Sequence, residues 1–98
     1  MVIRALDHVK HCYTQDDGQV IFNLIFAHLK EGRDVGISFD GVATVPSSFV
    51  NTAFIKLLDD FLFDYIKEKL SFAKSTKQIN EMIKTRFDFE VNKRGTDP

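Results

Sequence analysis

Residues 35–58 read VGISFDGVATVPSSFVNTAFIKLL, and this stretch decides the fold. Val35, Ile37 and Phe39 alternate with Gly36 and Ser38, the period of a strand, and Asp40-Gly41 stops it. Pro46-Ser47-Ser48 then opens the longest helical pattern in the chain. A serine there accepts a bond from a free backbone N–H, and proline is tolerated at a helix start. Phe49, Ala53, Phe54, Leu57, Leu58, Phe61 and Leu62 follow as a broad apolar stripe. A strand, a loop and a helix with a wide apolar face make half of a sheet-and-helix unit.

The same rhythm extends outward. Upstream, Asp16-Asp17-Gly18 puts carboxylates at the positive end of a helix dipole, and Val20, Ile21, Leu24, Ile25 and Leu29 recur at helical spacing. Gly32 ends that helix as a left-handed cap. Val2 to Leu6 reads as a strand and Val9 to Tyr13 as a second, joined by a turn at Asp7-His8. Downstream, Asp59-Asp60 marks a break, Phe61 to Lys69 a second helical piece, and Leu70-Ser71-Phe72-Ala73 a further strand. Ser75 and Gln78 have capping-box spacing ahead of Ile79, Met82, Ile83 and Phe87, after which Phe87, Phe89 and Val91 alternate as an extended tail. The expectation is one α/β domain over residues 1–93 with a flexible end at 94–98. Its small mixed sheet has three to five short strands and carries three to four helices.

Composition bounds the function. Ninety-eight residues, 44% hydrophobic and 28% charged, suit one soluble domain with one core. A net charge of −1 argues against direct nucleic-acid binding through bulk electrostatics. Charge is uneven: residues 1–64 hold five basic and nine acidic side chains, residues 65–98 eight and five. That gradient helps orient a partner. A single Cys12 excludes an internal disulfide and fits a reducing compartment. No apolar run reaches the ~20 residues that span a bilayer, and Met1-Val2-Ile3-Arg4 is charged too soon for a signal peptide, so the cytoplasm is the expected location.

The stretch from Ser38 to Leu58, with its Ser47-Ser48-Phe49 element, resembles the STAS-like bacterial domains of unknown function. The likeness runs from the first helix to Asn80-Glu81-Met82-Ile83 and Lys84-Thr85-Arg86-Phe87. More distantly the chain is similar to true STAS domains, the anti-sigma factor antagonists, whose Asp-Ser-Ser-Gly turn carries a serine phosphorylated by a partner kinase. Laid on that turn, Ser48 takes the phosphorylated position, while Pro46 replaces the aspartate and Phe49 the glycine. The resemblance implies a protein partner and Ser48 as the site of modification. Independently, the turn's place at the C-terminal end of a strand makes Pro46, Ser47, Ser48, Phe49 and Asn51 the expected docking residues. Two plainer readings stand beside it: a serine that only caps the helix, and a Phe49 ring that belongs to the core.

Other chemistries find little footing. His8, His11 and Cys12 lack the further ligand a zinc site needs, and His28 lies on another element. No spacing marks a nucleophile with its base, and no Gly-rich phosphate loop is present. The expectation is therefore a non-enzymatic bacterial or phage regulatory domain without cofactor or metal. It binds and modulates another protein, a kinase or regulator, or a toxin enzyme blocked in antitoxin fashion, with homodimerisation through an edge strand left open. The rival is a small-molecule or nucleotide sensor with a pocket near Asp40 to Phe49.

Overall fold

A computed structural model describes residues 1–95. Three strands, β1 (Val2–Arg4), β2 (Val35–Ser38) and β3 (Leu70–Ala73), alternate with four helices, α1 (Gln15–Lys30), α2 (Ser47–Ala53), α3 (Phe63–Lys69) and α4 (Lys77–Gly95). Short 3-10 turns occupy Ala5–Asp7 and Ile55–Asp59. The sheet order is β1-β2-β3, and Ile3, Ile37 and Phe72 lie side by side across it.

The α/β class expected from the sequence is the one observed, with the sheet parallel throughout rather than mixed. A mixed sheet needed the strand expected at Val9–Tyr13, and this segment is irregular. The Ala5 carbonyl accepts from the N–H groups of both His8 and Val9, which winds the chain off its strand immediately after Arg4. Parallel neighbours need crossovers, and α1 supplies the first, α2 and α3 the second.

Both ends of α1 are closed by side chains or glycine. The Thr14 hydroxyl accepts from the Asp17 N–H at 3.1 Å, and the Asp17 carboxylate accepts from the Thr14 N–H at 3.0 Å, a reciprocal box. At the other end Gly32 has φ +75, its N–H donates to Leu29 O, and the Arg33 N–H donates to His28 O. That is the left-handed termination read from the sequence.

The long helical pattern after Pro46 does not form one helix. It breaks at Phe54 (φ −122, ψ −48), continues as the 3-10 turn, and resumes only at Phe63 rather than Phe61. Pro46 itself is the extended N-cap, so Ser47 and Ser48 lie inside the first turn and neither side chain caps it. The capping box expected at Ser75 and Gln78 is also displaced. The Thr76 hydroxyl accepts from the Ile79 N–H at 3.2 Å and donates to Ala43 O at 2.8 Å. Gln78 bonds Val45 through both its amide atoms, and the Ser75 hydroxyl is buried without a partner among the described residues.

The extended tail expected after Phe87 is helix as well. Phe87 faces inward and Phe89 outward, and i,i+4 contacts continue along α4. Arg94 bonds Glu90 at 3.2 Å and Asp59 at 2.9 Å, tying the helix back to the 3-10 turn. Of the end expected at 94–98, Arg94 and Gly95 are helical, and residues 96–98 lie outside the described residues.

Residues of alternate strand positions build the core. Ile3, Val35, Ile37, Phe39 and Leu70 are buried against the helices with Ile21, Ile25 and Leu29 of α1, Phe49 and Val50 of α2, and Ile79 and Ile83 of α4. α1 runs along α2 at close range because Gly18 offers no side chain there. Among the described residues no helix is long and apolar enough to cross a membrane.

Candidate functional site

The loops after the strands meet at the sheet's C-terminal edge, where open α/β sheets concentrate their function. Arg4 closes one side of that edge. Its guanidinium donates to Asp7 at 2.9 Å and to Asp40 at 3.3 Å, joining the end of β1 to the loop after β2. These bonds, the one to Asp7 foremost, hold Arg4 still more firmly protonated than an ordinary arginine.

The five residues expected to contact a partner are contiguous in sequence but part company in space. Ser47 and Ser48 are exposed at the first turn of α2, and Pro46 is half-buried. The Ser48 hydroxyl donates to Tyr13 O at 3.3 Å. Phe49 is fully buried, its ring 6.0 Å from that of Phe54 in an edge-to-face contact, so its side chain belongs to the core and not to a docking surface. Asn51 is half-buried, and its carbonyl oxygen accepts from Arg86 Nε at 2.8 Å, which fastens α2 to α4.

What the fold adds to the two serines is the loop before α1. Tyr13 is 56% exposed and its ring stacks on His11 at 5.5 Å with planes 8° apart. Two exposed stacked rings beside two hydroxyls form an amphipathic surface of the kind interfaces favour. From the sequence Tyr13 reads as the end of a strand, and nothing in its neighbourhood separates that role from the exposed turn observed. Only the bond from Ser48, 35 positions away, reveals the pairing.

Asp17 sits under this loop. Burial alone would raise its carboxyl, but the N–H groups of Thr14 and Tyr13, the Thr14 hydroxyl and the charge of His11 together hold it below the usual range. Its folded value is depressed, so the stability it contributes is present above the unfolded value and lost as pH falls through the folded one.

Behind the rings lies a hollow of about 110 Å³ whose walls include His11, Cys12 and the residues from Gly41 to Thr44. Cys12 is buried. Burial pushes its thiol up to about 11, with the charge of Asp17 acting in the same direction. At neutral pH the sulfur stays protonated and is a poor nucleophile. Iodoacetamide at pH 8 is expected to alkylate Cys12 in the native protein at least ~10-fold more slowly than in the urea-unfolded chain, given burial and a thiolate fraction this low. Equal rates, followed by mass spectrometry, would contradict that placement.

Among the described residues no group of three His, Cys, Asp or Glu side chains is gathered to hold a metal ion. His8 is exposed in the turn after Ala5–Asp7, and His28 lies in the last turn of α1, so the histidines do not converge.

A family model described as "STAS-like domain of unknown function (DUF4325)" matches residues 17–80. The matched span runs from the first turn of α1 through β2, α2, α3 and β3 into the start of α4. It leaves out β1, which the sequence likeness does not include either, and the Glu81–Phe87 part of α4, which the likeness does include. Neither a curated protein nor a solved structure matches the chain.

Proposed function

We propose, from the premise that the chain belongs to the STAS-like domain family of unknown function, that it is a non-enzymatic regulatory domain which binds and modulates a partner protein. The observation that carries this reading is the exposed surface of His11, Tyr13, Ser47 and Ser48 at the sheet's C-terminal edge. Aromatic side chains that present large area at low entropic cost dominate many binding interfaces. Phe49 supports this surface from beneath rather than forming it. The partner classes are a kinase or regulator, or a toxin enzyme held in antitoxin fashion, in a bacterial or phage cytoplasm.

The sensor reading draws less support. Small-molecule pockets usually enclose about 300–1,000 Å³, and the hollow flanking the loop after Asp40 measures about 110 Å³.

Ser48 gives this surface a means of control. A phosphate there would bring about −2 charge against the Tyr13 carbonyl, which now accepts the Ser48 proton at 3.3 Å. Two acceptors facing each other repel, and the loop carrying the stacked rings would loosen. On this reading, modification of Ser48 switches the surface off.

The test is affinity capture of the tagged protein's partner from a native bacterial lysate, read by mass spectrometry, with Tyr13→Ala and Ser48→Asp beside wild type. One stoichiometric partner is expected, with capture reduced at least ~10-fold in both variants, as for an interface anchor. Both substituted side chains are exposed, so melting temperatures should stay within a few degrees of wild type. Undiminished capture by the two variants, or no partner even after crosslinking, would overturn the proposal.

A further inference from the structure

β3 consists of four uncharged residues, Leu70-Ser71-Phe72-Ala73, and it is an edge strand. In a parallel ladder, alternate residues bond to opposite sides. Ala73 O accepts from the Phe39 N–H at 2.9 Å, on the β2 side. Ser71 therefore also turns toward β2, while Phe72 turns its N–H and C=O outward. Beside this outer edge a groove of about 290 Å³ is lined by Phe63 and Ile66 of α3, Leu70 and Phe72 of β3, and Ile83 and Phe87 of α4. Backbone groups awaiting a ladder and an apolar trough next to them are the two halves of a strand-addition site. The first supplies affinity and the second reads alternate side chains.

Charge selects the occupant. Lys67, Lys69, Lys74 and Lys77 bracket β3, with Glu68 the one acid between positions 67 and 77. Lys84 stands on the groove's rim, held to Asp88 at 2.8 Å in a pair open to solvent and readily exchanged. A second copy of the chain fits badly. Antiparallel self-pairing must set outward-facing residues against each other, Phe72 opposite the copy's Phe72. This brings together two segments that each carry a net charge of +3 over residues 67–77, a like-charge juxtaposition that opposes association. An acidic strand meets Lys67 and Lys84 along the groove, where the Asp88 carboxylate is already paired with Lys84.

Resting on the interaction-domain reading above, we infer that the free edge of β3 takes up an extended acidic segment of a partner protein as a fourth strand. Alternate apolar side chains of that segment enter the trough between α3 and α4, and its carboxylates meet Lys67, Lys74 and Lys84. The site lies on the opposite edge of the sheet from β1.

Random dodecapeptides displayed on phage and selected on the immobilised full chain test this. The expected winners alternate apolar and acidic residues. A synthetic winner should shift the amide resonances of residues 70–74 and 83–87. The double variant Lys67→Glu/Lys84→Glu, both at exposed positions, should bind it at least ~10-fold more weakly with folding intact, as reversal of a steering charge pair demands.

Neutral or basic winners, shifts elsewhere, affinity unchanged in the double variant, or no enrichment at all would overturn the inference. So would sedimentation showing a dimer of the free protein that the double variant dissolves, since a second copy would then own the edge. The two proposals fail separately. A lysate partner retained by Lys67→Glu/Lys84→Glu but lost by Tyr13→Ala leaves the interaction domain standing and removes the β3 site alone.

Discussion

Replacing Phe54 by alanine should cost about 3–5 kcal/mol, the range for truncating a fully buried phenylalanine. Phe54 is at the centre of the aromatic core. Its ring meets those of Phe39, Phe49 and Phe72 edge to face, at 6.2, 6.0 and 5.2 Å between centroids. Edge-to-face pairs add about 0.5–1.5 kcal/mol each beyond the area they bury, so the loss reaches the upper part of the range. It also sits where the chain changes from α2 to the 3-10 turn, so neighbours on both sides must move to fill the void. Domains are stable by only about 5–15 kcal/mol in total. The melting temperature should fall by well over ~10 °C, at about 4–8 °C per kcal/mol for a chain of this size. Phe89→Ala is the control, because that ring is 53% exposed and its loss should cost little. Equal midpoints for the two variants in thermal denaturation would mean that the core does not close around Phe54.

Such a core bears on how binding experiments at the Ser-Ser-Phe element are read. Arg or Asp at Phe49 would abolish partner capture by unfolding the domain, since a buried unpaired charge is among the costliest substitutions. Loss of binding in that variant carries no information about the interface. Tyr13 and Ser48 can be changed from the solvent side, and they are the residues through which the surface can be addressed.

What was legible in the sequence was whatever depends on local periodicity. β2 and β3 stand where alternation and the turn residues put them, because each strand is set by its own side chains and by the glycine or lysine that follows. Gly32 was readable as a terminator because its left-handed backbone is costly for other residues. The caps were legible only to within a residue or two. Thr76 rather than Ser75 closes α4, since neighbouring polar residues offer the same chemistry and only the chain's path selects one, while the carboxylates read at the start of α1 include Asp17, which closes it together with Thr14. The alternation of Phe87, Phe89 and Val91 fits a strand and a helix equally. The helix won because Glu90 and Arg94 bond along it and Arg94 reaches Asp59.

The candidate site was half legible for a related reason. The serines follow from the strand–loop–helix unit, but their neighbours His11 and Tyr13 come from a segment without periodicity, delivered by the tertiary fold. Phe49 is the clearest case of one position with two plausible roles. As the first ring of the α2 stripe it could be an anchor or a core residue, and the sheet beneath α2 decides for the core.

Gly18 offers the sharpest separation of local preference from tertiary contact. Helix propensity alone says that Gly18→Ala within α1 should stabilise the protein by up to about 1 kcal/mol. The packing says the opposite. A methyl group at this position would lie 2.8 Å from Phe49 O, 3.0 Å from Thr52 Cβ and 3.2 Å from Ala53 N. Two of these neighbours are backbone atoms of α2, so no rotamer change relieves the contact and the helices must separate. Separation would loosen the seat of Phe49 and Phe54 together, because both are carried by the segment that α1 presses onto the sheet. Overpacking of this kind costs about 1–3 kcal/mol, occasionally more. Gly18→Ala should therefore lower the urea midpoint in spite of its better propensity, and Gly18→Val should lower it further or prevent folding. A midpoint raised by Gly18→Ala would show that α1 and α2 do not approach as closely as described. A midpoint lowered in the order Ala, then Val, would identify this glycine as the contact that lets the two helices share one core.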